Sequence, residues 1–170
     1  MHPLDKFEYC PVCGSREFVV NNVKSKRCRR CGFCYYANPS SAMAAFIIDD
    51  DGRLLVARRG KEPAKGTLDL VGGFVDMDEN AEQGICREIQ EETGLVVENP
   101  TYLFSIPNLY VYSGMTIHTL DMFYLVRVAT GVSVKAGDDA AELMWMNLED
   151  VRPEDFGLMS IRQAVTRFIS

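Results

Sequence analysis

Gly73–Leu95 reads GFVDMDENAEQGICREIQEETGL, a helix written with its own start and stop signals. Asn80 is a good N-cap, and Gln83 three residues on completes a capping-box pattern. Gly94 supplies the left-handed residue that commonly ends a helix. The predicted helix therefore runs over Ala81–Thr93. On it Glu88, Glu91 and Glu92 stand at i, i+3 and i+4, so they share a face with Cβ atoms about 5–6 Å apart. Carboxylates this close repel one another unless a cation sits among them, and oxygen-only ligands favour a hard one, Mg²⁺ or Mn²⁺. Arg87 has the planar fork that bridges neighbouring carboxylates and holds their rotamers. A solvated acidic face would carry the same glutamates. Two features weigh against it: the helix macrodipole disfavours anions at a C-terminal end, and Gly72-Gly73 just before the helix lets backbone approach a ligand closely.

Before this helix, Ala42–Asp49 and Leu54–Arg58 read as strands joined at Asp50-Asp51-Gly52, and Gly60–Gly66 as a loop. Leu68–Val71 reads as a short strand entering Gly72-Gly73. After it, Thr101–Ile106, Thr119–Ala129 and Leu143–Asn147 read as strands and Leu148–Val151 as a turn. Ser160–Ile169 closes the chain as a helix, with Ile161, Ala164, Val165 and Phe168 at helical spacing. Mixed strands with helices on both sides imply an α/β or α+β sandwich. Ala37-Asn38-Pro39-Ser40-Ser41 punctuates the chain, so residues 1–37 and 41–170 are expected as two domains.

The net charge of −6 is unevenly spread: residues 1–40 carry seven Lys/Arg against three Asp/Glu, and the remainder eleven against twenty-one. An acidic main domain suits a phosphate-bearing substrate when divalent cations lie between them. Hydrophobic residues at 47% and charged residues at 25% give a globular balance with enough apolar mass for a core. No apolar run reaches the roughly eighteen residues of a membrane span, and the first residues lack a secretory signal. A cytoplasmic protein without a membrane partner is the expectation.

Five of the six cysteines lie within residues 10–34. Cys10-x-x-Cys13 and Cys28-x-x-Cys31 are each followed by glycine, the knuckle pattern of a zinc ribbon with four thiolates around a structural Zn²⁺. Cys34 reads as a small hydrophobe beside Phe33 and Tyr35, with substitution as a ligand left open, and Cys86 as core-facing. The basic run Lys24-Ser25-Lys26-Arg27-Cys28-Arg29-Arg30 is read as charge offset for the thiolates rather than as a nucleic-acid surface.

The segment Gly73–Leu95 resembles the Nudix box, G-x5-E-x7-R-E-U-x-E-E-x-G-U with U aliphatic. Gly73, Glu79, Arg87, Glu88, Ile89, Glu91, Glu92, Gly94 and Leu95 fill every fixed position. The resemblance implies a mixed sheet sandwiched between helices, and hydrolysis of a pyrophosphate bond in a nucleoside diphosphate derivative such as ADP-ribose, NADH or a similar dinucleotide. It implies Glu88, Glu91 and Glu92 as Mg²⁺ (or Mn²⁺) ligands, with the Gly73 carbonyl contributing. A glutamate of this set, or Glu142 from a later loop, would activate water, while Glu79 and Arg87 would brace the loop and helix. For Glu142 a plain surface carboxylate beside Asp138 and Asp139 is the competing reading. Arg58, Arg59 and Lys65 are candidates to clamp phosphate, or ordinary solvated cations.

A ribbon ahead of this box resembles the NADH pyrophosphatases, whose S-Q-P-W-P-F-P-x-S signature is matched here at Ser105, Pro107 and Ser113 only. Tyr110 and Tyr112 are candidates to stack on a base, with core packing the preferred reading; His118 receives no role. A nucleoside triphosphate pyrophosphohydrolase and a nucleotide-sensing module without turnover stand as alternatives. The expected partner is a small nucleotide; nucleic acid is not expected, and a homodimer rests on the resemblance alone.

Overall fold

The computed structural model describes residues 2–137 and 140–170; Asp138 and Asp139, named above as neighbours of Glu142, lie outside the described residues. The chain forms two compact units, Met1–Ser40 with Leu109–His118, and Ser41–Asn108 with Thr119–Ser170.

In the first unit β1 (Phe18–Asn22), β2 (Ser25–Cys28) and β3 (Cys34–Tyr36) form an antiparallel sheet in that order. Its core is small: Cys10, Phe18 and Cys28 are buried, with Cys13 and Phe33 packed against them. Lys26 is buried too. Its Nζ donates to the Phe7 carbonyl at 2.8 Å and lies 5.8 Å from the Phe18 ring centroid. One cation of the basic run is thus spent on internal structure.

The second unit is a mixed sheet with two helices. Its strands are β4 (Ser40–Asp49), β5 (Arg53–Arg59), β6 (Leu68–Asp69), β7 (Val71–Phe74), β8 (Thr101–Tyr112), β9 (Met115–Val128) and β10 (Ala140–Asn147), of which Ser40 and the β8–β9 stretch Leu109–His118 fall in the first unit. They are ordered β10-β5-β4-β9-β8, with β6 paired to β5 and β7 to β4. The helices are α1 (Ala81–Thr93) and α2 (Met159–Ile169).

Strand β4 alternates between two cores, as a pleated strand must. Ala44, Phe46 and Ile48 face one core with Ile161, Ala164 and Val165 of α2, while Met43, Ala45 and Ile47 face the other with Ile85 and Ile89 of α1. Burying each such isoleucine is worth about 1.5–3 kcal/mol. Cys86 follows Ile85 and falls on the flank of α1, so it is half-buried rather than core-facing.

Several strand boundaries differ from the sequence reading. The stretch Leu68–Val71 is not one strand: Asp69 pairs with Ala57 of β5, whereas Val71 pairs with Ala45 of β4. The chain changes partner at Leu70, where the Asp69 carboxylate accepts from the Leu70 N–H at 2.9 Å and meets Arg59. Strands β8 and β9 are longer than local pattern suggested. Pro107 is tolerated because β8 ends the sheet order and one side of its backbone needs no ladder partner. Tyr112 is correspondingly 63% exposed, against the core placement expected for it.

Gly84, in the middle of α1, costs helix propensity of about 1 kcal/mol relative to Ala. The fold supplies the reason. A Cβ there would stand 2.8 Å from Glu79 Oε1 and 2.8 Å from Met43 Sδ. Gly84→Ala is therefore expected to forfeit the Tm gain of about 2–4 °C that a propensity gain of this size would otherwise bring. A melt showing that full gain would mean the space at Gly84 is open.

Candidate active site

Helix α1 begins and ends where local chemistry dictates. Asn80 Oδ1 accepts from the Gln83 N–H at 2.8 Å, and Gln83 Oε1 accepts from the Asn80 N–H at 2.9 Å. Gly94 takes φ 75° and donates its N–H to the Gln90 carbonyl. Two further C-terminal carbonyls are met from outside: Lys135 N–H donates to Thr93 O at 3.0 Å and Gly137 N–H to Glu92 O at 2.9 Å. A Cβ on Gly137 would meet Glu91 O at 2.6 Å, so this segment lies directly on the helix end.

The box residues converge. Arg87 donates from Nε and Nη2 to both Glu79 oxygens (3.1 and 2.7 Å), and from Nη1 to Glu88 Oε1 (2.9 Å) and Glu91 Oε2 (3.2 Å). Its Nη2 also donates to the Phe74 carbonyl at 3.1 Å, and Asp76 lies 3.6 Å from Nε. Glu79 accepts in addition from the Asp76 N–H at 2.7 Å. Glu79 and Arg87 therefore tie the β7–α1 loop to the middle of the helix. Glu92 Oε2 accepts from the Gly72 N–H at 3.2 Å.

The paired glycines accommodate the protein's own groups. A Cβ on Gly73 would fall 2.4 Å from Glu88 Oε1, and one on Gly72 would fall 2.1 Å from the Met43 carbonyl oxygen. Gly73 makes room for the glutamate carboxylate, and Gly72 for the neighbouring strand. The Glu88 and Glu92 carboxylates thus both come to the Gly72-Gly73 backbone, with Glu91 beside Glu88 on Arg87.

The electrostatics are unbalanced toward negative charge. Four carboxylates gather on one guanidinium. Burial pushes the Glu88 carboxyl above its ordinary range, Arg87 pulls it back, and Glu91 and Asp76 push it further up. Glu79 is held low by its hydrogen bonds from Arg87 and from the Asp76 N–H. Arg87 is held all the more firmly in its charged form, first by Glu79 and then, against burial, by Glu88. A donor set of oxygens with surplus negative charge fits a hard divalent cation.

The other candidates make no hydrogen bond or ion pair to this cluster among the described residues. Glu142, on β10, pairs with Arg58 Nε at 3.2 Å, and among the described residues no hydrogen bond or ion pair ties it to α1. Arg58 Nη1 also donates to the Gly66 carbonyl at 3.0 Å. Arg59 is engaged with Asp69 and with the Pro63 carbonyl. Neither arginine is simply solvated. Sequence reading missed the Phe74 carbonyl and the Gly72 N–H, because backbone groups carry no residue signature. It also passed over Asp76, an acidic residue in the box's variable stretch.

The four cysteines form a second cluster. Their sulfurs all lie within 4.8 Å of one another, with Cys10–Cys31 at 3.7 Å and Cys13–Cys28 at 3.6 Å. A tetrahedral metal with bonds of about 2.3 Å to sulfur has S···S edges of about 3.8 Å. All six cysteines are free thiols. The two knuckles repeat one turn: Gly14 N–H donates to Cys10 O and Gly32 N–H to Cys28 O. Backbone N–H groups of Cys31 and Arg30 help lower the Cys28 thiol to about 6. At Cys13 the Ser15 N–H favours the thiolate, but burial and the three other sulfurs outweigh it and push the thiol to about 12. Four thiols in one place cannot all ionise unless a cation joins them. Cys34, the alternative ligand, is not among the clustered sulfurs.

Residues 38–167 match the family model of the NUDIX domain. The chain belongs to the Nudix family. An ADP-ribose pyrophosphatase of Methanocaldococcus jannaschii is 34% identical over 118 residues, covering 68% of this chain and 66% of that protein. The NAD-capped RNA hydrolase NudC of Vibrio atlanticus is 27% identical over 155 residues, covering 89% of this chain and 55% of that one. The chain thus spans about half to two-thirds of the length of these relatives. Among solved structures, a NUDIX hydrolase from Nitrosomonas europaea superposes with a TM-score of 0.74 at 19% identity, covering 95% of this chain and 90% of the other. Nudix hydrolases use divalent metal ions, and the four-cysteine cluster fits a structural metal. Among the described residues no helix is long and apolar enough to cross a membrane.

Proposed function

We propose that this Nudix chain hydrolyses the pyrophosphate bond of a nucleoside diphosphate derivative, ADP-ribose or a related dinucleotide, with Mg²⁺ or Mn²⁺. The observation that carries the reading is the convergence of the Glu88 and Glu92 carboxylates on the Gly72-Gly73 backbone, with Glu91 beside them. The names of the two relatives point the same way in substrate class.

In this reading Glu88, Glu91, Glu92 and the Gly73 carbonyl hold the cations. Bound there, the cations would neutralise the diphosphate and lower the pKa of a coordinated water. Arg87 fixes the rotamers of Glu88 and Glu91, and Glu79 fixes Arg87. A glutamate of the set takes the proton from the attacking water, a role typically worth about 10²–10⁴-fold. Water adds to one phosphorus, the bridging oxygen leaves with the other, and two phosphate-bearing products result. Residues 1–37 would form the zinc ribbon, with Cys10, Cys13, Cys28 and Cys31 on a structural Zn²⁺, and residues 41–170 the hydrolase domain.

The test is a substrate panel: ADP-ribose, NADH, NAD⁺, FAD, diadenosine polyphosphates, nucleotide sugars and nucleoside triphosphates, each with and without Mg²⁺, coupled to a phosphatase. Metal-dependent turnover of at least one diphosphate-linked compound is expected; turnover of none would sink the reading, and turnover of triphosphates alone would redirect it. Glu142→Gln is expected to lower kcat by less than about ten-fold, because its carboxylate is engaged by Arg58 and, among the described residues, no hydrogen bond or ion pair ties it to the box. A loss of 10²-fold or more would make Glu142 the base.

A further inference from the structure

The N-terminal unit holds a cleft of about 620 Å³ made wholly of its own residues, a size typical of small-ligand sites. Phe7 and Tyr35 line it with rings stacked at 22° and centroids 6.4 Å apart. They keep 39% and 43% of their surface in solvent, although the unit's core is small and would gain from burying them. The Lys26 ammonium fixes the Phe7 backbone, so the ring is presented rather than loosely attached. Polar groups stand around this platform: Lys24, Asn38, Thr116 and His118 are part of the same lining.

We propose that this cleft binds a nucleobase carrying an anionic phosphate, as a free nucleotide or within a single strand. The base stacks on Phe7 and Tyr35, and Lys24 meets the phosphate. Aromatic platforms of this kind accept any base, since every base has a π-face. Asn38, Thr116 and His118 offer donors and acceptors to the base edge.

Charge supports the same ligand. Residues 1–40 carry +4, and four thiolates around one divalent metal lower that only to about +2. Compensation of the metal site therefore does not use up the basic residues. Among the described residues the side chains of Lys24, Arg27, Arg29 and Arg30 form no ion pair; of these Lys24 lines this cleft, whereas Arg27 and Arg29 line a separate groove. In this proposal Lys24 serves the ligand rather than the thiolates.

The test uses the full chain with its metal retained, in Mg²⁺-free buffer. A fluorescein-labelled oligoadenylate is followed by anisotropy, and AMP by calorimetry. Tyr35→Leu is expected to weaken at least one probe by about ten-fold or more. Lys24→Gln should weaken it a few-fold and, for the strand, reduce the salt slope by about one. Hydrolysis of ADP-ribose should be unchanged in both variants. A strand bound far more tightly than AMP identifies a single strand as the source; equal affinities identify the free nucleotide. If Tyr35→Leu loses its bound metal, the exposed Lys24→Gln variant decides alone. Affinities unaltered in the folded variants, or no binding of either probe at millimolar concentration, would overturn the proposal. A chain that binds the probe through this cleft but turns over nothing on the panel would retain this site and lose the hydrolase reading.

Discussion

Glu92→Gln is expected to lower ADP-ribose hydrolysis by roughly 10²–10⁴-fold while changing the melting temperature little. The two halves of that expectation come from different atoms. The Glu92 side chain accepts from the Gly72 N–H, and an amide of the same shape keeps a carbonyl oxygen for that bond. The tie between β7 and α1 survives, and so does the fold. What disappears is a negative charge among carboxylates that already exceed the one guanidinium beside them. Cation affinity should fall with it, so raising Mg²⁺ or Mn²⁺ should recover part of the rate. Unchanged turnover at ordinary Mg²⁺ would reject Glu92 as a ligand. A collapse of the Tm would show instead that the residue serves structure.

Cys10→Ser together with Cys13→Ser is expected to release about one equivalent of zinc and to unfold the N-terminal sheet. Among the described residues its buried hydrophobic cluster is Cys10, Phe18 and Cys28, with Leu4 buried besides, and two of the three clustered residues belong to the sulfur cluster itself. So little apolar area cannot offset the conformational entropy of some forty residues, whereas a structural zinc site contributes roughly 10–16 kcal/mol of apparent binding free energy. Serine oxygens are far poorer partners than thiolates for this metal. Metal analysis of the purified chain and limited proteolysis within residues 1–40 read the two effects. Parent protein free of metal, with a double variant as protease-resistant as the parent, would remove the ribbon.

What could be read from the sequence was what depends on neighbours along the chain. The helix start at Asn80, its end at Gly94 and the shared face of Glu88, Glu91 and Glu92 are all set within a few residues. The two knuckles are local for the same reason. The rest depended on what the fold brings alongside. Gly84 looks like a weak point in a helix until Met43 and Glu79 are seen to occupy the space of its missing methyl group. Gly72 and Gly73 invite a ligand on paper, yet their open sides are taken by the Met43 carbonyl and the Glu88 carboxylate. The partner change at Leu70 is invisible because Leu68–Val71 is uniformly apolar apart from Asp69, whose turn toward Arg59 is a long-range event. Phe7 and Tyr35 are twenty-eight positions apart, and no periodicity could have joined them.

The alternation along β4 has a practical corollary. Consecutive side chains of that strand answer to opposite sides of the sheet, so the residues around Phe46 and α2 can be redesigned with the acidic helix left untouched. Thermostability and chemistry in this molecule are therefore open to separate adjustment, from back and front of one ribbon of chain.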